Sequence, residues 1–248
     1  MRLARVPPPL AGVSDVAVLS AAGMTAGYDG PPVLDNVAVT AERGKTTVVL
    51  GPNGAGKSTL AKAIVGLLRV RAGHVYLADK EVTGLAPHKL VRRGVGYLPQ
   101  LANVFDDMSV QENLEMGGYT RKGDLRARIA QVLDLFPDLG VDKRKKAGAL
   151  SGGQQRMLAL ARLLMTEPLA AILDEPTAGL SPLYAQRVWE QIDRIRGTGV
   201  ALLVVEQNAT LAMEHADLVC LLAQGRNVLS GTAAELREHA EVARILVG

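Results

Sequence analysis

The sequence predicts an α/β fold in which a glycine-rich loop follows a buried strand. Two observations support this prediction. An apolar β-type run (46–50) leads into a glycine-rich loop (51–58), and a helical run (59–68) follows it. Two later apolar runs, 169–173 and 200–205, are continuous. Continuous apolar runs of this length are typical of strands that are buried on both faces of a parallel sheet.

The loop reads Gly-Pro-Asn-Gly-Ala-Gly-Lys-Ser and matches G-x-x-x-x-G-K-[S/T] at every fixed position. Its glycines allow backbone N–H groups to turn toward phosphate oxygens, and the helix N-terminus behind them favours an anion. We expect Lys57 to contact the outer phosphates of a nucleotide and Ser58 to bind Mg²⁺. A glycine-rich turn that binds nothing is the alternative, and the agreement of both flanks disfavours it. The predicted nucleotide-binding residues are Gly51, Pro52, Asn53, Gly54, Ala55, Gly56, Lys57, Ser58 and Thr59.

Composition sets further limits. The 248 residues are enough for one large α/β domain or two small lobes, and 48% hydrophobic with 21% charged residues is ordinary for a globular protein. A net charge of +3 is too small to indicate a nucleic-acid partner. No apolar run approaches the roughly 20 residues that span a bilayer.

Two small features complete the composition. Residues 1–15 carry prolines and alanines without periodicity or a continuous apolar run, which predicts a disordered extension and not a signal peptide. The single cysteine, Cys220, lies in the apolar run 218–222. We expect it to be a small buried hydrophobic residue in a cytosolic protein.

The part of the chain before residue 100 is predicted to be rich in strands. The expected elements are a weak strand over 16–24, a turn around Tyr28, an alternating strand over 33–39, a hairpin at 72–77, a short helix over 87–93 and a strand over 95–98 that ends at Pro99-Gln100.

The middle of the chain is predicted to be a helical subdomain, over about 101–165. Residues 110–136 have a helical pattern, and the basic stretch 137–148 reads as a solvated turn between helices. Ser151 and Gln154 have the spacing of a capping box at the start of the next helix. Two glycines in its first turn weaken a helix by about 1 kcal/mol each, and close approach of an anion would require them.

The strand 169–173 ends in Asp174-Glu175, where α/β proteins bind ligands. Adjacent strand residues point in opposite directions, so the two carboxylates are expected to have different roles. A helix N-cap with acidic residues is the alternative, but it explains only one of them. The remaining expected elements are a helix over 180–195, a strand over 200–205, a helix over 209–215, a strand over 218–222, a turn at 224–225 and a C-terminal helical tail.

These pieces together resemble the ATP-binding subunits of ABC transporters, from about residue 19 to the end. The specific feature is Leu-Ser-Gly-Gly-Gln (150–154) about 20 residues before Asp174-Glu175, in the same chain as the loop. The resemblance implies an ABC-type P-loop ATPase with a mixed RecA-like core, an antiparallel β subdomain and a helical subdomain. One nucleotide-binding domain would occupy 16–248.

The resemblance also implies a role for each matching residue. Tyr28 would stack on adenine; a surface tyrosine in a turn is the alternative. Gln100 would contact Mg²⁺ and the attacking water, Asp174 would hold Mg²⁺ through water, and Glu175 would polarise the hydrolytic water. The signature residues, Ser151, Gly152, Gly153 and Gln154, would contact the ATP held by another subunit, which implies a head-to-tail dimer with two ATP molecules between its subunits.

Two positions depart from the family pattern. Gln207 stands where a histidine is usual, and Ser181 replaces the usual aspartate of the loop after the catalytic strand. Gln207 can donate a hydrogen bond to a γ-phosphate but carries no charge, so slower hydrolysis is expected. Lys57, Asp174 and Glu175 are all present, so the site is predicted to be competent.

The stretches 94–100, 175–182 and 204–208 resemble one ATPase of the branched-chain amino-acid importers. This resemblance implies a peripheral subunit on the cytoplasmic face of the cell membrane, two permeases, a second and different ATPase, a solute-binding protein and no nucleic acid. Importers of urea, short amides or other amino acids remain alternatives. ABC ATPases of DNA repair fit less well, because they carry long insertions that this sequence lacks. Translation factors of this fold fit less well, because they usually hold two cassettes in one chain and only one is present here. A non-hydrolysing regulatory subunit also stays open, because of Gln207.

Overall fold

The computed structural model describes residues 17–101, 104–120, 122–237 and 239, so the predicted extension at 1–15 lies outside the described residues. The strands are β1 (Ala17–Ala26), β2 (Leu34–Glu42), β3 (Thr46–Leu50), β4 (Val70–Leu77), β5 (Lys80–Glu81), β6 (Val95–Leu98), β7 (Ala170–Asp174), β8 (Ala201–Val205), β9 (Leu218–Ala223) and β10 (Arg226–Thr232). The helices are α1 (Lys57–Ile64), α2 (Pro87–Arg92), α3 (Val110–Gly117), α4 (Leu125–Leu135), α5 (Pro137–Gly140), α6 (Gly152–Leu164), α7 (Pro182–Gly197), α8 (Ala209–His215) and α9 (Ala233–Arg237).

The central sheet has six strands in the order β10-β9-β3-β8-β7-β6. Its strands are parallel except β10, which pairs antiparallel with β9. Every residue of β3, β7 and β8 is buried. Alternate residues serve opposite faces: Val48 and Leu50 pack into one apolar cluster, and Val49 packs into the other. The continuous apolar runs are therefore explained, and the predicted α/β class is confirmed.

One face of this sheet is covered by the second sheet and the other by helices. The second sheet is antiparallel, in the order β2-β1-β4-β5, and shares its apolar cluster with α1. Helices α3, α4 and α6 to α8 pack on the opposite face, around the fully buried Trp189. Helices α3 to α6 fall within the segment 101–165. Among the described helices, none is both long and apolar enough to cross a bilayer.

Two local predictions were wrong or shifted. The glycine at 73 does not turn the chain: β4 runs straight through it, and the hairpin turns at Ala78 and Asp79 instead, both at positive φ. Gly73 is a bulge opposite Gly23, with φ +93° and a hypothetical Cβ 2.4 Å from the Gly23 carbonyl oxygen. The predicted helix 59–68 begins earlier, at Lys57, and ends at Ile64.

The C-terminal part differs as well. The predicted helical tail after the turn at 224–225 is preceded by a strand, β10, whose short polar sequence gives little β signal. The turn itself is confirmed, with positive φ at Gln224 and Gly225. Cys220 is buried as predicted; burial raises the pKa of its thiol to about 11, and the amide of Asn227 donates to its Sγ at 2.8 Å.

Candidate functional site

The candidate site lies along the carboxyl edge of the central sheet. Four neighbouring parallel strands, β3, β8, β7 and β6, end at this edge. The glycine loop follows β3, Gln100 follows β6, Asp174 ends β7 and Gln207 follows β8. Because parallel strands present their carboxyl ends together, residues far apart in sequence meet here.

The glycine loop turns sharply between β3 and α1. A Cβ at Gly51 would lie 2.1 Å from the carbonyl oxygen of Leu222, so only glycine lets the loop pass β9. Gly56 has φ +100° and serves as the N-cap of α1, which explains why the helix begins directly at Lys57. The tip, 52–54, is exposed, and Ala55 and Thr59 are buried.

Lys57 folds back over this loop. Its Nζ donates to the carbonyl oxygens of Gly51 at 2.7 Å and Pro52 at 3.0 Å. The side chain is buried, and burial lowers the pKa of its ammonium, against the opposing effect of Glu175, Asp174 and nearby Glu206. A buried cation at a helix N-terminus is a strong point of attraction for phosphate.

Ser58 and Asp174 meet across the gap between α1 and β7. The Ser58 hydroxyl donates to Asp174 Oδ1 at 2.9 Å, and the Tyr97 hydroxyl approaches Oδ2 at 3.5 Å. Burial raises the pKa of the Asp174 carboxyl, the Ser58 hydrogen bond lowers it, and the charge of Glu175 raises it again. The site thus holds a hydroxyl and a carboxylate side by side, which are oxygen ligands suited to Mg²⁺.

Glu175 directly follows β7, and its carboxylate has different hydrogen-bond partners from that of Asp174. Its φ of +49° is unusual for a residue with a side chain, and its backbone N–H donates to Val205 at 2.9 Å. The carboxylate accepts one amide hydrogen bond at each oxygen, from Gln100 Nε2 and from Gln207 Nε2, both at 2.6 Å. These two amides orient the carboxylate.

A cleft of about 610 Å³ opens beside Glu175 and Gln207, between the N-terminal ends of α7 and α8.

Sequence reasoning missed the supports of this arrangement. Buried Glu206 accepts hydrogen bonds from the backbone and hydroxyl of Thr177, at 3.0 and 2.6 Å, and from the backbone of Gln207 at 3.1 Å. Burial raises the pKa of the Glu206 carboxyl. Arg156 of α6 donates to the Gln100 carbonyl at 3.3 Å. Of these residues, only Glu206 could have been identified from the sequence. It directly follows the apolar run that forms β8, just as Asp174 ends the run that forms β7.

Tyr28 lies on the exposed turn between β1 and β2, with 52% of its surface accessible. Its hydroxyl is 3.5 Å from Lys62 Nζ on α1, the helix that follows the glycine loop. Tyr28 also lines a cleft of about 600 Å³ together with Arg69 and Arg71. The contact with Lys62 links the turn of Tyr28 to the helix that follows the glycine loop.

The residues at 151–154 begin α6 with the predicted capping box. Ser151 Oγ accepts from the backbone of Gln154 at 3.3 Å, and Gln154 Oε1 accepts from the backbone of Ser151 at 3.0 Å. Ser151 and Gly152 are exposed. Packing alone requires glycine at 153, since a Cβ there would lie 2.2 Å from the Tyr184 ring. Ser181 is the exposed N-cap of α7, so Asp174-Glu175 do not cap that helix.

The structure therefore joins most of the predicted residues at one edge. The glycine loop, Gln100, Asp174, Glu175 and Gln207 lie around one centre, and Tyr28 is tied to it through Lys62. The two capping-box hydrogen bonds join Ser151 and Gln154 to each other, and the 151–154 turn presents two of its residues to solvent.

Comparison with known sequences shows the family of the chain. Residues 34–178 match the ABC transporter family. The chain is 42% identical to the probable branched-chain amino acid transport ATP-binding protein LivF of Archaeoglobus fulgidus, over 91% of this chain and 96% of the relative. It is 37% identical to the high-affinity branched-chain amino acid transport ATP-binding protein BraG of Pseudomonas aeruginosa (89% and 95%), and 32% identical to the lipopolysaccharide export system ATP-binding protein LptB of Escherichia coli (94% and 98%).

Solved structures have the same fold. A nucleotide-free ATP-binding cassette from an ABC transporter superimposes with a TM-score of 0.83 at 25% identity, covering 94% of this chain and 99% of that one. The ADP conformation of an ATP-binding cassette of an ABC transporter superimposes with a TM-score of 0.84 at 26% identity and the same coverage.

Proposed function

Because the chain belongs to the ABC transporter family, whose ATP-binding subunits hydrolyse ATP and work with membrane permeases, we propose that it powers import of branched-chain amino acids. The observation that carries this proposal is its 42% identity with LivF, extending over nearly the full length of both chains. BraG, also a branched-chain amino acid transport protein, supports the same assignment.

A second candidate is an export function. LptB, the ATP-binding protein of a lipopolysaccharide export system, is similar over 94% of this chain, but at 32% identity. The sequence identity is 42% with LivF and 32% with LptB, and the higher identity with LivF favours import. Import of urea, short amides or other amino acids remains a variant of the first proposal, since the substrate would be selected by other subunits.

We assign the phosphate loop and Lys57 to the phosphates of ATP, and Ser58, Gln100 and Asp174 to Mg²⁺. The fit is supported by the 2.9 Å contact of Ser58 with Asp174 and by the buried carboxylate, whose desolvation a divalent cation would offset. When bound, Mg²⁺ would neutralise charge on the phosphate oxygens. Tyr28 is assigned to the adenine base.

Glu175 is assigned to orienting the hydrolytic water. Its two amide partners keep the carboxylate in one orientation, and a carboxylate has about four acceptor positions, so it can still accept from water. Gln207 supplies a hydrogen-bond donor without a charge at this position, whereas the usual histidine could carry a positive charge that stabilises the γ-phosphate. We therefore expect this site to hydrolyse ATP more slowly than a site with the usual histidine.

The 151–154 turn is assigned to a second ATP, held by a partner ATPase. Its exposed residues at a helix N-terminus support this role, since such a terminus attracts anions. The proposed assembly is a head-to-tail heterodimer with two ATP molecules between its subunits, fed indirectly by a solute-binding protein and involving no nucleic acid. The subunit would be peripheral, on the cytoplasmic face of the cell membrane.

We propose that a permease docks in an apolar groove of about 330 Å³ between β6, α3 and α6. Phe105, Met116 and Tyr119 line it and expose 44%, 41% and 73% of their surfaces, and the guanidinium of Arg162 lies over the Phe105 ring at 4.7 Å. One wall of the groove is β6 and the following Pro99, and the next residue, Gln100, donates a hydrogen bond to Glu175. A docked segment would therefore contact the strand that positions Gln100 beside Glu175.

Placing a charge in this groove is expected to disrupt assembly. Tyr119→Glu should lower the fraction of the chain that copurifies with the permeases by about tenfold, because a carboxylate would be desolvated on docking. ATP binding by the isolated chain should stay unchanged. Val141→Glu is the matched control, since Val141 is 86% exposed and lies outside the groove. Equal copurification of both variants would contradict the assignment.

The import function is tested by uptake in the source organism. Deletion of the gene is expected to abolish high-affinity uptake of radiolabelled leucine, isoleucine and valine. The parent sequence should restore uptake, and Glu175→Gln should not. Excess urea or acetamide should not compete with the label. Unchanged amino-acid uptake together with lower surface lipopolysaccharide would instead support the export candidate.

A further inference from the structure

The turn that carries Tyr28 connects β1 to β2, and it needs an anchor because it is exposed. Residues 28–33 are all exposed, and a hydrogen bond from Val33 N–H to the Ala26 carbonyl at 2.9 Å closes the turn at its base. Exposed loops of this kind are mobile unless other elements hold them. If the turn were mobile, ordering it on nucleotide binding would cost entropy, and this cost would offset part of the stacking free energy of the aromatic ring.

Arg71 of β4 holds this turn in place. Its Nη1 donates to the carbonyl oxygen of Gly30 at 2.8 Å, and its Nη2 donates to the carbonyl oxygen of Tyr28 itself. The neighbouring residue, Val70, pairs with Ala26 of β1, so the guanidinium starts from the strand beside the turn. A planar guanidinium can reach two separated carbonyls at once, whereas a lysine ammonium is a single point charge.

We propose that Arg71 is a positioning residue for the nucleotide base: it fixes the backbone on both sides of Asp29 so that the Tyr28 ring is held ready to stack. The inference rests on the proposed function, in which Tyr28 contacts adenine. Arg71 and Tyr28 line the same cleft of about 600 Å³, so both face the space next to the base. The guanidinium acts through the turn and does not need to touch the nucleotide.

Charge attraction is the competing explanation, because any cation near the site would favour a triphosphate. Two comparisons separate the explanations. Inorganic tripolyphosphate is a polyanion like ATP but has no ribose or base, and Arg71→Lys keeps the positive charge of the side chain but loses the paired hydrogen bonds. The neighbouring Arg69 lines the same cleft, so Arg69→Gln is a matched control for removing one charge there.

The experiment measures dissociation constants of ATP and tripolyphosphate for the full chain by calorimetry, in the presence of Mg²⁺. Arg71→Gln and Arg71→Lys should each weaken ATP binding by about threefold to tenfold and leave tripolyphosphate binding unchanged. Tyr28→Ala should weaken ATP binding by about tenfold or more, and adding Arg71→Gln to it should cause little further loss. Arg69→Gln should keep the parental ratio of the two constants.

Several results would overturn the inference. Parental ATP affinity in Arg71→Lys would mean that charge alone matters, and equal weakening of both ligands in Arg71→Gln would mean the same. Parental ATP affinity in Arg71→Gln, with a clear loss in Tyr28→Ala, would remove the role of Arg71 but leave stacking intact. No loss in Tyr28→Ala would refute the stacking assignment itself and the inference with it. Melting temperatures of the unliganded variants verify that they are folded.

Discussion

Replacing Glu175 with glutamine is expected to lower ATP hydrolysis by the assembled transporter at least about 100-fold. The variant side chain cannot act as a base toward water. The structure adds a second reason, since both oxygens of Glu175 accept amide hydrogen bonds from Gln100 and Gln207. A glutamine at 175 would turn its own NH₂ group toward one of these donors, so one contact would be lost.

ATP binding should survive this change, so the variant should accumulate an ATP-bound dimer with the partner ATPase. Phosphate release measures the rate, and the nucleotide content of the isolated complex measures trapping. Glu190→Gln is the matched control, because it makes the same chemical change at an exposed position of α7. Hydrolysis at the parental rate by Glu175→Gln would show that the catalytic assignment is wrong.

Replacing Lys57 with alanine is expected to weaken ATP binding at least about 100-fold, equivalent to roughly 3 kcal/mol. The ammonium is buried and is held by two loop carbonyls, those of Gly51 and Pro52. Its removal takes away the buried positive charge at the N-terminus of α1 and also the link between the two sides of the loop. A modest fall in the melting temperature of the unliganded chain should accompany the loss.

Calorimetry with ATP, in Mg²⁺ and in chelator, measures this effect. Asp174→Asn is the informative comparison: it should bind ATP in chelator about as well as the parent but gain little from added Mg²⁺. Lys57→Ala should bind weakly under both conditions. Undiminished affinity of Lys57→Ala for Mg²⁺-ATP would refute the assignment of the loop to phosphate binding.

The buried parallel strands were the most predictable part of the fold. The bounds predicted for β3, β6 and α8 agree with the structure, because continuous apolar runs and a helical period are strong local signals. The edge strand β10 was missed because half-exposed polar residues carry little such signal, and its pairing with β9 is what makes it a strand. Gly73 looked like a turn because its partner in the bulge, Gly23, is 50 residues away.

The sequence by itself determined the family, and it predicted which residues form the site. The glycine loop (51–58), the signature (150–154) and the carboxylate pair (174–175) are each contiguous in sequence. Each can therefore be recognised from a short stretch of residues. Only the tertiary structure decided that Gln100 and Gln207 both bind Glu175, that Arg71 holds the turn of Tyr28, and that Gly153 packs on Tyr184. Such contacts depend on strand order, register and helix packing, which join residues distant in sequence and leave no local pattern.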